Sequence, residues 1–243
     1  MTTEALFRRD AYLTSCDAHV REITDTGVLL DRTVFYPLGG GQAGDSGWLT
    51  LGDGVRLRIA DARKSPLDGA SPDDVLHLIA EEQRDQLAGL RAGQPVHVEI
   101  DWERRLRHMR LHTASHLMCA ILPYPVDGCS ITADYARLDF VTTEPLSRED
   151  IDARLAELVA KASDVTIDSI SNEALAANPE LVRTMSVKPP IGFGQVRLVR
   201  IEGIDLQPCG GTHVANTAEI GGVRVSKMEK KTARTRRVVL ALD

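Results

Sequence analysis

The chain has 243 residues, 43% of them hydrophobic and 26% charged, a composition ordinary for one large or two small globular domains. Its formal net charge of −6 argues against a general, non-specific nucleic-acid binder, without excluding a local basic surface. Cys16, Cys119, Cys129 and Cys209 form no disulfide framework spacing, no run of about 18 apolar residues exists to cross a membrane, and the first ten residues hold no signal-peptide core, so the expected setting is reducing and cytoplasmic.

Residues 1 to 100 read as short strands and turns. Val28-Leu29-Leu30 and Val34-Phe35-Tyr36 are rich in β-formers, and Pro37 to Gly47 is too glycine-rich to be anything but a loop. Trp48 to Leu51 resumes a strand, and the Gly52-Asp53-Gly54 turn leads into Val55 to Ile59, where Val55, Leu57 and Ile59 alternate with Arg56 and Arg58. Pro95 to Ile100 alternates in the same way. This succession suggests a small β-barrel. Between them, Glu81 to Leu90 favours helix by composition, while Val75 to Ala80 fits either helix or strand.

The run Asp101 to Leu122 predicts a helix. Asp101 is a plausible N-cap, Trp102, Leu106, Met109, Leu117 and Ile121 recur at helical spacing, and no Gly or Pro interrupts the run before Pro123. Further on, Ser130 to Val141 predicts one or two strands. Arg148 to Ala162 predicts an amphipathic helix capped by Ser147, with Asp150 in a weak capping-box position and Ile151, Leu155, Leu158, Val159 and Ala162 on the buried side. Val165 to Ile167 and Val196 to Ile201 are strand candidates, Pro189-Pro190 marks a loop, and Val223 to Val225 with Val238 to Leu240 finish a sheet. The domain boundary is expected near residue 100, giving 1–100 and 101–243.

His112 and His116, four apart on the predicted helix, leave it on the same face, so their imidazoles can bite one metal ion. A run this apolar would be better served by Leu or Ala, so helix propensity does not account for either histidine. About a hundred residues later, Cys209-Gly210-Gly211-Thr212-His213 offers a thiol and an imidazole on a glycine-rich loop whose backbone can turn tightly. Either pair alone fits ordinary buried side chains. Together they make an N/S ligand set of the kind zinc takes. His112, His116 and Cys209 are the expected zinc ligands, and His213 is either the fourth ligand or a nearby base. A thermolysin-like His-Glu-x-x-His motif is absent, because position 113 is Thr.

Two basic clusters stand out. One is Arg104, Arg105, Arg107, His108 and Arg110. The other is Lys227, Lys230, Lys231, Arg234, Arg236 and Arg237 near the C-terminus. Such clusters either track a phosphate backbone or form a solvated face.

His112-Thr113-Ala114-Ser115-His116 together with Cys209-Gly210-Gly211-Thr212-His213 resembles the editing domain of alanyl-tRNA synthetase and the free-standing alanyl-tRNA editing (AlaX) proteins. Phe35-Tyr36-Pro37 running into Gly40-Gly41-Gln42-Ala43-Gly44-Asp45-Ser46-Gly47 is similar to the glycine-rich motif of the barrel preceding that domain. Asp101 to Arg105 and Arg137 to Phe140 are similar to the segments flanking the first metal motif. The barrel resembles the medium-length class of the family.

The resemblance implies an α+β fold, in which a small N-terminal β-barrel precedes a two-layer α/β editing domain with a zinc site. It implies zinc-dependent hydrolysis of the aminoacyl ester of mischarged tRNA(Ala), chiefly seryl-tRNA(Ala) and secondarily glycyl-tRNA(Ala), by a monomer or homodimer with no membrane partner. His112, His116, Cys209 and His213 would form the catalytic centre. Thr113, Ser115, Thr132 and Thr212 are candidates to read the serine hydroxyl, because a site built for a hydroxyl leaves polar groups unpaired when alanine enters. Gly40, Gly41 and Gln42 either reach over the amino acid or form a simple turn. Lys230, Lys231, Arg234, Arg236 and Arg237 would meet the tRNA acceptor end. Gly128-Cys129 departs from the Gly-Ser step of the synthetase, which removes a hydroxyl expected there. The same ligand set also fits a zinc hydrolase of another acyl ester, or a structural-zinc module that holds tRNA without cleaving it.

Overall fold

The computed structural model describes residues 2–182 and 195–243. Among them the order is β1 (Glu4–Ala5), β2 (Ser15–Ile23), β3 (Gly27–Leu30), β4 (Arg32–Thr33), β5 (Gly47–Leu51), β6 (Arg56–Lys64), β7 (Val75–Ile79), β8 (Pro95–Ile100), α1 (Trp102–Ile121), β9 (Val126–Ile131), β10 (Ala136–Val141), α2 (Arg148–Ala160), β11 (Val165–Ser171), α3 (Asn172–Ala177), β12 (Gln195–Ile201), β13 (Asp205–Pro208), β14 (Val223–Thr232) and β15 (Thr235–Leu242). The chain divides into two compact units, one of Met1–Gly39 with Ala43–Leu106, the other of Gly40–Gln42 with Arg107–Asp243. The fold is the expected α+β arrangement with a barrel.

In the first unit, β2-β3-β7-β6-β5-β8 close into a barrel. The alternation in the sequence sets its register. In β8, Val96, Val98 and Ile100 are buried while Pro95, His97 and Glu99 are exposed, and in β6 Leu57 and Ile59 point inward between exposed arginines. These side chains join Val20, Val28, Leu30, Phe35, Leu49 and Ile79 in one core. A closed barrel leaves no strand edge unpaired, which lets strands this short be stable.

Several expectations for this unit need correction. Val34 to Tyr36 is not a strand. The Phe35 amide donates to Thr33 Oγ1 at 3.0 Å and the Tyr36 amide to Asp45 Oδ2 at 2.6 Å, so side chains take the place of a neighbouring strand. Glu81–Gly89 is helical, as its composition suggests, but as a 3-10 helix with one buried residue, Leu87. Arg105, read as part of a basic surface, is fully buried. Its guanidinium is paired with Asp45 and also donates to Val34 O at 2.7 Å and Ala11 O at 2.8 Å. Removing either member would leave an uncompensated buried charge, which costs about 3–5 kcal/mol.

In the second unit, β14-β15-β10-β9 form one antiparallel sheet and β11-β12-β13 another. The strand at Val196 to Ile201 therefore belongs to a different sheet from the C-terminal strands. α2 begins where expected: Ser147 accepts from the Asp150 amide at 3.2 Å, and Ile151 and Leu155 are buried. It stops at Ala160, and Ala162 is exposed with a left-handed φ of 51°, so the expected buried face ends a turn early. Asn216 and Glu219 form a reciprocal capping box at a short 3-10 turn. Arg107 donates to Ala133 O and Arg110 to Ile220 O at 2.7 Å, so these two arginines also fasten backbone. The Pro189-Pro190 loop lies outside the described residues.

Candidate metal centre

α1 begins at the expected cap, where the Arg104 amide donates to Asp101 Oδ1 at 3.1 Å. About three turns later it presents His112 and His116 from one face, with ring centroids 5.4 Å apart. β12 and β13 form a hairpin that ends at Pro208, so Cys209 enters at its close and His213 follows through the two glycines. The ligand atoms of His112, His116, Cys209 and His213 all lie within 4.8 Å of one another. Cys209 Sγ is 3.4 Å from His112 Nε2 and 3.3 Å from His213 Nε2. The three histidines are buried and Cys209 is half-buried.

Each imidazole is held from behind by its other nitrogen. His112 Nδ1 is 2.8 Å from Gln42 Oε1, His116 Nδ1 is 3.1 Å from Asp205 Oδ2, and His213 Nδ1 is 3.1 Å from Thr113 Oγ1. Gln42 Oε1 and the Asp205 carboxylate are acceptors. Thr113 gives its own proton to Met109 O at 2.9 Å, so its oxygen accepts too. At His112 and His213 these contacts select the tautomer with the proton on Nδ1, leaving the Nε2 lone pair for an ion, whereas His116 Nδ1 lies 3.1 Å from both the Asp205 carboxylate and the Gln207 amide nitrogen. The donor set of three imidazole nitrogens and one sulfur can hold a metal ion.

The four groups also act on one another electrostatically. Burial pushes the Cys209 thiol up, but His112 and His213 outweigh it and hold the thiol well below its usual value. For His116, burial disfavours the charged ring, yet hydrogen bonds to Asp205 and Cys209 push its pKa up to about 9. His213 is pushed well below the usual imidazole value by burial and then by the neighbouring His112.

Close backbone approach explains two glycines. A side chain at Gly211 would overlap the His112 ring, and one at Gly41, whose φ is +89°, would overlap Cys129 Sγ. A Cβ at Gly210 would meet nothing within 4 Å.

The four hydroxyls proposed as serine readers are placed differently. Thr113 is engaged as described, Ser115 donates to Leu111 O at 2.8 Å, and Thr132 donates to Tyr135 O at 3.2 Å and closes the β9–β10 turn. Thr212 is buried beside the cluster, where its Oγ1 accepts from Gln42 Nε2 at 2.9 Å and its amide donates to Gln42 Oε1 at 3.0 Å. The 40–42 segment thus reaches the cluster through Gln42, while the Ile131 amide donates to Gly41 O at 2.7 Å and Cys129 Sγ sits 3.7 Å from Gly40 O.

The basic residues expected at RNA also divide. Lys230, Lys231 and Arg234 are exposed, whereas Arg236 and Arg237 are half-buried. Arg237 Nε and Lys231 Nζ bind the buried carboxylate of Asp139, at 2.7 and 2.9 Å, and Arg236 bonds to backbone carbonyls. Burial pushes Asp139 up, but these partners hold its pKa down at about 2.

Sequence reasoning passed over three residues that shape the cluster. Asp205 and Gln207 alternate along β13, and Arg197 on β12 donates to Cys209 O at 2.6 Å and Gly211 O at 3.0 Å. Two polar side chains in an Asp-x-Gln alternation just before Cys209 were the available signal.

Residues 196–239 match the family model described as the threonyl and alanyl tRNA synthetase second additional domain, and residues 5–104 match that of class II (A) tRNA synthetases. A protein of Methanosarcina barkeri named alanyl-tRNA editing protein AlaX-M is 35% identical, with 99% of each chain covered. One of the same name from Saccharolobus solfataricus is 34% identical over 97% of each. An alanine–tRNA ligase of Metallosphaera sedula is 35% identical over 94% of this chain, which spans 25% of that enzyme. On these full-length matches, the chain belongs to the family of alanyl-tRNA editing proteins.

Proposed function

We propose that this protein is a zinc-dependent hydrolase that clears mischarged tRNA(Ala), seryl-tRNA(Ala) first and glycyl-tRNA(Ala) second, by cleaving the ester between amino acid and terminal ribose. The observation that carries the proposal is that the ligand atoms of His112, His116, Cys209 and His213 lie within 4.8 Å of one another while Nδ1 of each imidazole is engaged from behind. The names of the relatives support tRNA(Ala) as the substrate class. His112, His116, Cys209 and His213 would hold the zinc. When bound, such an ion polarises an ester carbonyl or lowers the pKa of a water.

The chain's own residues do the positioning. Gln42 holds His112 in place and ties it to the loop through Thr212. Arg197 fixes the carbonyls on either side of Gly210, and Thr113 fixes His213. Of the candidate serine readers, Thr113, Ser115 and Thr132 spend their protons on backbone carbonyls, whereas Thr212 Oγ1 accepts its hydrogen bond and keeps a proton to give. We therefore favour Thr212 as the group that greets the serine hydroxyl. Exposed Lys230, Lys231 and Arg234 are the candidates to meet the acceptor end. Incubating the protein with seryl-, glycyl- and alanyl-tRNA(Ala), with and without chelator, tests the proposal. Release of serine and glycine, sparing of alanine and loss with chelator are expected; hydrolysis indifferent to chelator would remove the metal.

A further inference from the structure

The three histidines have unequal supports. His112 leans on an amide oxygen and His213 on a hydroxyl, both neutral, while His116 leans on a carboxylate. That carboxylate, at the head of β13, is fully shielded from solvent. Gln207 Nε2 donates to the same oxygen at 2.7 Å and lies 3.1 Å from His116 Nδ1. Asp205 Oδ2 thus lies within hydrogen-bond distance of both the Gln207 amide and the His116 ring, which fixes its position behind that ring. Burying an anion is costly unless a positive group answers it. A divalent ion in the cluster answers it, since the Cys209 thiolate offsets only one of its two charges.

We propose that Asp205 is a positioning residue that completes the charge balance of the metal site. Through the His116 ring it supplies the second negative charge, so that ion, thiolate and carboxylate sum to neutrality in a buried place. His116 then becomes the most electron-rich of the three imidazole ligands, because its Nδ1 proton is shared with an anion. Gln207 holds the carboxylate in register and prevents its second rotamer from turning away. This inference rests on the zinc reading of the cluster.

The experiment uses the full chain and Zn2+ alone, with affinity read by competition against a chromophoric chelator. Asp205→Asn keeps an oxygen acceptor and removes the charge. Zinc affinity is expected to fall by about 10–100-fold, with the far-ultraviolet circular dichroism of the metal-free protein unchanged. Wild-type protein that binds Zn2+ together with an Asp205→Asn variant that binds within twofold would overturn this inference and leave the zinc reading standing. Wild-type protein that takes up no Zn2+ would remove both. Should the variant not fold, nitrogen-detected NMR of the zinc-loaded wild type decides. The expected result is Nε2 ligation with an Nδ1 proton on His116 shifted further downfield than those of His112 and His213. Ligation through His116 Nδ1, or an undisplaced proton, would overturn the proposal.

Discussion

Gln42 Oε1 sits 2.8 Å from His112 Nδ1, and the same oxygen accepts the Thr212 amide at 3.0 Å. One side-chain amide therefore joins a histidine of α1 to the loop that carries Cys209 and His213. The two segments that carry the candidate ligands are thus latched by a residue from a third segment, far from both in sequence.

Removing that latch is the first prediction. Gln42→Ala should lower zinc affinity by about 10–100-fold, as removal of a partner behind a metal-binding histidine does. Chelator competition on the purified variant measures it. An unchanged affinity would mean that the helix and loop are aligned without the amide.

The two glycines of the loop should differ. Gly211→Ala drives a methyl group into the His112 ring and should cost about 1–3 kcal/mol, as overpacking does, with loss of bound zinc. Gly210→Ala meets open space and should stay within about 0.5 kcal/mol of the parent. Thermal melts and metal content of the two variants, compared side by side, check the contrast.

The barrel carries its own pH dependence. His77 is fully buried between Thr33 Oγ1 at 2.7 Å and Val28 O at 3.1 Å, and burial pushes its pKa from 6.5 down to about 4. The unfolded chain therefore binds this proton more readily than the folded one. The stability that His77 contributes is complete above pH 6.5 and is lost as pH falls toward 4, in an amount on the order of 3 kcal/mol. Urea unfolding followed by the fluorescence of Trp48 and Trp102, at pH 7 and at pH 4.5, should show the midpoint falling. His77→Gln should flatten the dependence. An equal fall in that variant would assign the effect to other groups.

The C-terminal hairpin should separate RNA contact from stability. Lys230→Ala and Arg234→Ala remove exposed charges, and each is expected to weaken tRNA binding uniformly and to reduce the salt slope by about 1. Arg237→Ala instead strips a partner from the buried Asp139 and should cost about 1–3 kcal/mol of stability. Binding measured across a salt series, with melting temperatures alongside, distinguishes the two effects.

The parts of this protein visible in its residues are those with a short-range signature. α1 shows through its spacing and its Asp101 cap, and the two-residue alternation of Val96, Val98 and Ile100 shows β8. The four candidate ligands declare themselves by residue type and spacing. What stayed hidden depends on distant partners. Arg105 reads as one more surface charge until Asp45, 60 residues away in sequence, neutralises it inside the core. Asp205 lies 89 residues from the histidine it supports, and no local pattern links them. Phe35 and Tyr36 carry β-forming side chains, yet their backbone bonds go to Thr33 and Asp45, so propensity alone misassigns them.

The central claim is that four side chains from two distant segments hold one zinc ion on which deacylation depends. The most direct test is to measure zinc content and seryl-tRNA(Ala) hydrolysis together, in the parent protein and in Cys209→Ala, before and after chelation and zinc re-addition. The account predicts one zinc per parent chain, activity that disappears with the metal and returns with it, and neither metal nor activity in the variant. A folded Cys209→Ala protein, free of zinc, that hydrolyses seryl-tRNA(Ala) at the parental rate would contradict it.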